Sequence, residues 1–135
     1  MSLEDLKKQF IVNEDARKAL IEPIVSKALN HCRVDKNGHV LITNAQLTGK
    51  ERVKLALAAR TIAAQLDPDI RAEVTLADLA KYTGLPINQV RARMNDVVRE
   101  KFVESLKAGV YRARLNKVRV FLDSLPTPAE TGPTT

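Results

Sequence analysis

The chain reads as a mainly α fold with small β-hairpins, built as a helical core over residues 48–125 behind a helix-plus-hairpin extension over residues 1–47. Three observations predict it. Apolar residues recur at helical spacing along most of the chain. Two capping signatures, Thr48 with Glu51 and Thr75 with Asp78, open helices. Asn37-Gly38 and Ala108-Gly109 each interrupt a pair of short, β-prone runs.

Residues 3–10 can form a short helix or a loose arm. Asn13 is a fair N-cap for a helix from residue 14 to about 31, with Glu14 and Asp15 in the first turn, where the helix dipole favours acids. Leu20, Ile21, Ile24, Val25, Ala28 and Leu29 make one apolar stripe on it, and Pro23 is expected to kink or restart it. The stripe Leu20, Ile21, Ile24, Val25 and Leu29 is a candidate homodimer surface; packing on the core is the alternative. Residues 33–43 then alternate around Asn37-Gly38, a strong hairpin signal. The helix from Lys50 to Leu66 is apolar around most of its circumference and is expected at the centre of the core. Asp67-Pro68-Asp69 ends it. A short helix capped by Thr75 runs through Lys81, and Gly84 supplies a left-handed turn. Pro86 starts the next helix, which runs to about residue 101 and buries Val90, Met94, Val97 and Val98. Residues 102–105 and 110–114 read as the two strands of a hairpin. Asn116 is expected to cap a last helix, residues 117–125. Residues 126–135 carry nothing to bury and are expected to be disordered.

At 135 residues, with 44% hydrophobic and 28% charged residues, the chain has the composition of an ordinary soluble globular protein. The single cysteine, Cys32, excludes an internal disulfide and fits a reducing compartment. The charged start lacks the apolar run of a signal peptide, and nothing approaches the ~20 apolar residues of a membrane span. A cytoplasmic protein is expected, nucleoid-associated if prokaryotic. The net charge of +6 is concentrated: residues 91–119 hold nine Lys or Arg against three acids, and the rest of the chain cancels. A basic patch on a neutral body is the electrostatic footprint of a polyanion partner, or else a solvated face.

Leu79-Ala80, Gly84-Leu85, Val90 with Met94, and Phe102-Val103-Glu104 together resemble the winged helix-turn-helix superfamily of DNA-binding proteins over residues 48–125. In such proteins the second helix of the motif enters the major groove, so the resemblance implies a recognition helix at residues 86–101 and a basic wing at residues 102–114. The DNA contacts that it implies are Asn88, Gln89, Arg91, Arg93, Asn95 and Arg99 on the helix, and Lys107, Arg112 and Arg114 on the wing. Asn and Gln pair with adenine, and Arg with guanine, in the major groove. Arg112 and Arg114, two apart on a strand, are expected to share one side of the wing. Two residues depart from the pattern. Lys101 stands where relatives often carry glycine, so the helix is expected to end without a left-handed cap. Ala92 sits where many relatives place a polar reader.

The resemblance implies a double-stranded DNA-binding protein, a transcriptional regulator or chromatin-associated factor, with no cofactor. The alternatives are a protein–protein module of a larger assembly and a structured-RNA binder. An enzyme is not expected, because paired carboxylates, a phosphate-binding glycine loop and a metal-ligand spacing are all missing from the sequence. His31-Cys32 reads as a buried thiol beside a histidine, with only His39 nearby as a further ligand. Tyr111 is expected to pack against the core, with base stacking as the alternative.

Overall fold

The computed structural model describes residues 2–10 and 14–126. Among these residues, six helices and two small antiparallel sheets form a mixed α/β arrangement. In chain order the elements are α1 (Leu3–Phe10), α2 (Glu14–Ala28), β1 (Cys32–Val34), β2 (Val40–Ile42), α3 (Gly49–Leu66), β3 (Val74–Thr75), α4 (Leu76–Thr83), α5 (Ile87–Arg99), β4 (Val103–Lys107), β5 (Val110–Ala113) and α6 (Leu115–Ser124). The expected Asn13 cap and residues 127–135 lie outside the described residues.

Helix α3 is the axis of the fold. Thr48 Oγ1 accepts from the Glu51 N–H, and the Glu51 carboxylate accepts from the Thr48 N–H, so two orphan donors are satisfied where the helix starts. Nine of its residues are buried, among them Val53, Leu55, Leu57 and Ile62. The helix can be apolar on nearly every side because α2, the β1–β2 hairpin, α4, α5, β5 and α6 pack around it. The hydrophobic core is continuous from Ile21 on α2 to Leu125 after α6. Helix α2 runs unbroken across Pro23 and ends at Ala28, three residues earlier than expected.

The β1–β2 hairpin pairs Val34 with Val40. Only Gly38 takes a positive φ, at 85°, and the Asp35 carboxylate accepts from the N–H groups of Asn37 and His39. The turn is thus longer than a two-residue Asn-Gly turn and is held by the aspartate. Those two N–H groups, His39's foremost, hold the Asp35 carboxyl below its ordinary pKa.

The second sheet has the order β3-β5-β4. Strand β3 has no counterpart in the sequence reading. It is two residues long, and Thr75 both pairs with Val110 and caps α4. The end of α5 also differs from expectation. Lys101 adopts φ 61°, its N–H bonds the Val98 carbonyl at 3.0 Å, and the Phe102 N–H bonds the Val97 carbonyl at 3.2 Å. These two bonds make a Schellman cap with lysine in the usual glycine position. The reversal turns Phe102 into the core, edge-on to Phe121 at 5.4 Å, with the Lys54 ammonium over both rings. Helix α6 is capped by the backbone of Arg114 and starts at Leu115, so Asn116 is a first-turn residue and not the cap.

Candidate nucleic-acid interface

Helices α4 and α5 are joined by Gly84, Leu85 and Pro86. Gly84 has φ 74° and donates its N–H to the Ala80 carbonyl at 3.0 Å. Thr83 locks the turn from inside: its hydroxyl donates to the Leu79 carbonyl at 2.6 Å and accepts from the Leu85 N–H at 3.2 Å. From α3, Arg52 donates to the Thr83 carbonyl at 3.0 Å. The turn is therefore held from both of its neighbours, and α5 is set at a fixed angle to α4 and α3.

Val90, Met94 and Val97 face inward on α5. Asn88, Gln89, Arg91, Ala92, Arg93, Asn95 and Arg99 are all exposed. They do not share one face. At about 100° per residue, Asn88, Arg91, Asn95 and Arg99 form one stripe, whereas Gln89 and Arg93 fall on the opposite flank. Arg91, Asn95 and Val98 line a cleft whose other wall is Ser105 of β4 and Tyr111 of β5. Tyr111 is half-buried and packs on the core, as expected, while also lining this cleft; Ser105 joins the stripe as a site residue that the sequence did not single out. Pro86 precedes the helix without any side-chain cap bond, and the Gln89 N–H donates to the Pro86 carbonyl and to Asn88 Oδ1, each at 3.0 Å.

On the hairpin, Lys107 ends β4 beside the Ala108-Gly109 turn and is exposed. Arg112 and Glu104 are direct cross-strand partners and form an ion pair at 3.1 Å. Arg114 lies one residue beyond β5. Its N–H still reaches the Phe102 carbonyl at 2.8 Å, its backbone is extended, and its side chain is exposed while that of Ala113 is buried.

The three acids of residues 91–119 are all engaged. Asp96 contacts Arg99 at 3.5 Å, and Glu104 pairs with Arg112. Glu100 is held by Lys50 and Lys54 of α3, outside the basic stretch. Partial burial would raise the Glu100 pKa, but the two ammonium groups outweigh it and hold the carboxyl below its ordinary value. Seven cations are then left without an ion pair among the described residues: Arg91, Arg93, Lys101, Lys107, Arg114, Lys117 and Arg119.

His31 and Cys32 are both buried and turned to different partners. Asn44 donates to His31 Nδ1 at 2.9 Å, and Cys32 donates to the Ala28 carbonyl at 3.5 Å. Burial lowers the His31 pKa and pushes the Cys32 thiol up to about 11, which keeps it an inert thiol at neutral pH. No group of three or more His, Cys, Asp or Glu is placed to hold a metal among the described residues. Of the proposed dimer stripe, Ile21 and Ile24 lie in the chain's own core and Val25 is half-buried, whereas Leu20 and Leu29 are exposed. No described helix is long and apolar enough to cross a membrane. Comparison with family models, with curated proteins and with solved structures finds no match for the chain.

Proposed function

We propose that this protein binds double-stranded DNA as a winged helix-turn-helix module, serving as a transcriptional regulator or chromatin-associated factor. The observation that carries the proposal is the set of seven cations without an ion pair within residues 91–119, around α5, the β4–β5 hairpin and the start of α6, whereas the described cations elsewhere that lack any partner, Lys7, Lys36 and Lys81, are far apart in the sequence. The element order supports the same reading. A central helix, a short strand, two helices joined at Gly84 and a hairpin pairing back onto that strand match the layout of a winged helix.

In this reading Asn88, Arg91, Asn95 and Arg99 face the major groove. Good bidentate pairs from Asn to adenine or Arg to guanine contribute about 1–3 kcal/mol of discrimination each. Lys107 and Arg114 hold phosphates from the hairpin, and Arg93 does so from the far flank of α5. Arg112 contributes less, because Glu104 already neutralises it.

The test is fluorescence anisotropy on random-sequence duplex DNA across a salt series. Six neutralised phosphates give a log–log slope of about −5. An Arg91→Ala/Arg93→Ala/Lys107→Ala/Arg114→Ala variant with an unchanged circular dichroism spectrum should lose most of the affinity and flatten the slope. Failure of the folded wild type to bind at low salt, or stronger binding to duplex RNA than to DNA, refutes the proposal.

A further inference from the structure

Helix α1 is built as a helix, yet its apolar face is left largely uncovered by the other described residues. Ser2 caps it, with its hydroxyl accepting from the Asp5 N–H at 3.2 Å and donating to the Asp5 carboxylate at 3.0 Å. Leu3, Leu6 and Phe10 recur at helical spacing and form one apolar face, and they are 81%, 47% and 88% exposed. An isolated eight-residue helix is marginal in water, so a face of this kind calls for a surface to dock on.

The structure holds one of matching character. A largely apolar groove of about 330 Å³ opens between α2, β1 and the end of α3, lined by Val25, Leu29, Val34, Ile62, Leu66 and Ile70. Leu29 and Leu66 stand on its lips, 49% and 57% exposed. Its charged lining is mixed, Arg33 and Lys36 beside Asp35 and Asp67, as is α1, with Glu4 and Asp5 in its first turn and Lys7 beyond them; Lys36 has no ion pair among the described residues.

The length of the connection decides whose α1 fills it. Four residue steps separate Phe10 from Glu14, a reach of at most about 14 Å. At about 1.5 Å per residue along α2, Val25 and Leu29 lie roughly 16–23 Å from Glu14. Even at full extension the Phe10 backbone stops short of Val25 and Leu29 of its own chain, and only Leu3 and Leu6 reach them, so a chain cannot seat the whole apolar face of its α1 in its own groove. A second copy has no such tether. We infer that α1 of one copy docks, through Leu3, Leu6 and Phe10, in the α2–α3 groove of another, and that the exchange is reciprocal in a two-fold dimer.

The inference stands apart from the DNA reading, and its test needs no nucleic acid. Light scattering with size-exclusion chromatography on the full chain should give twice the 15.0 kDa monomer mass. An arm variant, Leu6→Glu/Phe10→Ser, and a groove variant, Leu66→Glu, should each elute at the monomer mass with unchanged circular dichroism. Leu29→Lys, on the opposite lip, is the second groove variant should Leu66→Glu misfold. Mixing the arm variant with the groove variant should restore dimers, because one intact arm then meets one intact groove. A wild type that is monomeric at every concentration it tolerates overturns the inference. So does a dimer that survives both kinds of substitution, or a mixture that stays monomeric.

Discussion

Lys101→Gly should make this protein more stable, and Gly84→Ala should make it less stable by a similar amount. Both residues sit just past a helix end in the left-handed region, at φ 61° and φ 74°. A residue with a Cβ is disfavoured there by roughly 1–2 kcal/mol. Glycine escapes that strain but adds unfolded-state freedom worth about 0.4–1 kcal/mol. The difference is a gain of about 0.5–1 kcal/mol for Lys101→Gly, or roughly 2–4 °C in Tm for a domain of this size. At Gly84 an added Cβ would meet no atom within 4 Å, so the same two terms apply with the opposite sign and no clash to enlarge them. Lys101 has no ion pair to lose among the described residues. Urea denaturation at moderate salt reads both changes as shifts in midpoint at constant slope. Lys101→Asn should fall between lysine and glycine, since asparagine tolerates this region better than most residues. A Lys101→Gly protein no more stable than wild type, beside a destabilised Gly84→Ala, would refute the left-handed cap at Lys101 and the Phe102 entry that depends on it.

Two further outcomes follow from single contacts. Removing the carboxylate that neutralises Arg112, by Glu104→Gln, should tighten binding to duplex DNA severalfold at low salt, whereas Arg112→Ala should weaken it less than Arg91→Ala; an anisotropy series on the three variants checks the order. His31 has its pKa lowered by burial, so the unfolded chain binds a proton more readily than the folded one. Stability should therefore be fully present above about pH 6.5, the unfolded value, and decline as pH falls toward the folded one. Asn44 fixes the sign from the geometry as well. Its Oδ1 accepts from the Gln46 N–H at 3.0 Å and its Nδ2 donates to the Pro126 carbonyl at 3.2 Å, so the amide must present a donor to His31 Nδ1. Urea midpoints should fall between about pH 7.5 and about pH 5.5, and His31→Gln should remove most of that slope.

What could be read from the sequence was what neighbouring residues decide among themselves. The Thr48 and Thr75 capping boxes, the left-handed Gly84 and the hairpin at Gly38 depend on spacings of a few residues and form as their sequences indicate. The central position of α3 was legible because an all-round apolar helix has no exposed solution. Strand β3 was not legible, since Val74-Thr75 becomes a strand only through β5, thirty-five or more residues away in the chain. Lys101 misled for a related reason: lysine does not favour a left-handed turn, and the long-range burial of Phe102 imposes it. In the candidate site, the separation of Arg91 from Arg93 was available all along, because residues two apart on a helix face different ways. The neutralisation of Arg112 was not, because it depends on the register that sets Glu104 opposite it.

The distribution of paired and unpaired cations bears on function because folding does not account for it. Away from residues 91–119, Lys27, Lys50, Lys54 and Arg71 meet carboxylates, Arg33, Arg52 and Arg60 donate to backbone carbonyls, and Lys7, Lys36 and Lys81 have no ion pair among the described residues. Exposed ion pairs contribute about 0–1 kcal/mol each, so the folded state would lose little by pairing or by dispersing the seven within residues 91–119. Instead they fall in one stretch of the chain, from α5 to α6, and two of the three acids among them are bonded to Arg99 and Arg112. The third, Glu100, is drawn to α3, where its charge offsets Lys50 and Lys54 and not the patch. Like charges collected this way repel one another over a screening length of about 8 Å at physiological salt, a small standing cost to the free protein. That cost is relieved when a polyanion covers the surface, and the relief grows as salt falls. A salt-dependent stability difference between the free and DNA-bound protein, largest for the wild type and absent from the four-fold charge-removal variant, is the signature that a merely solvated basic face would not produce.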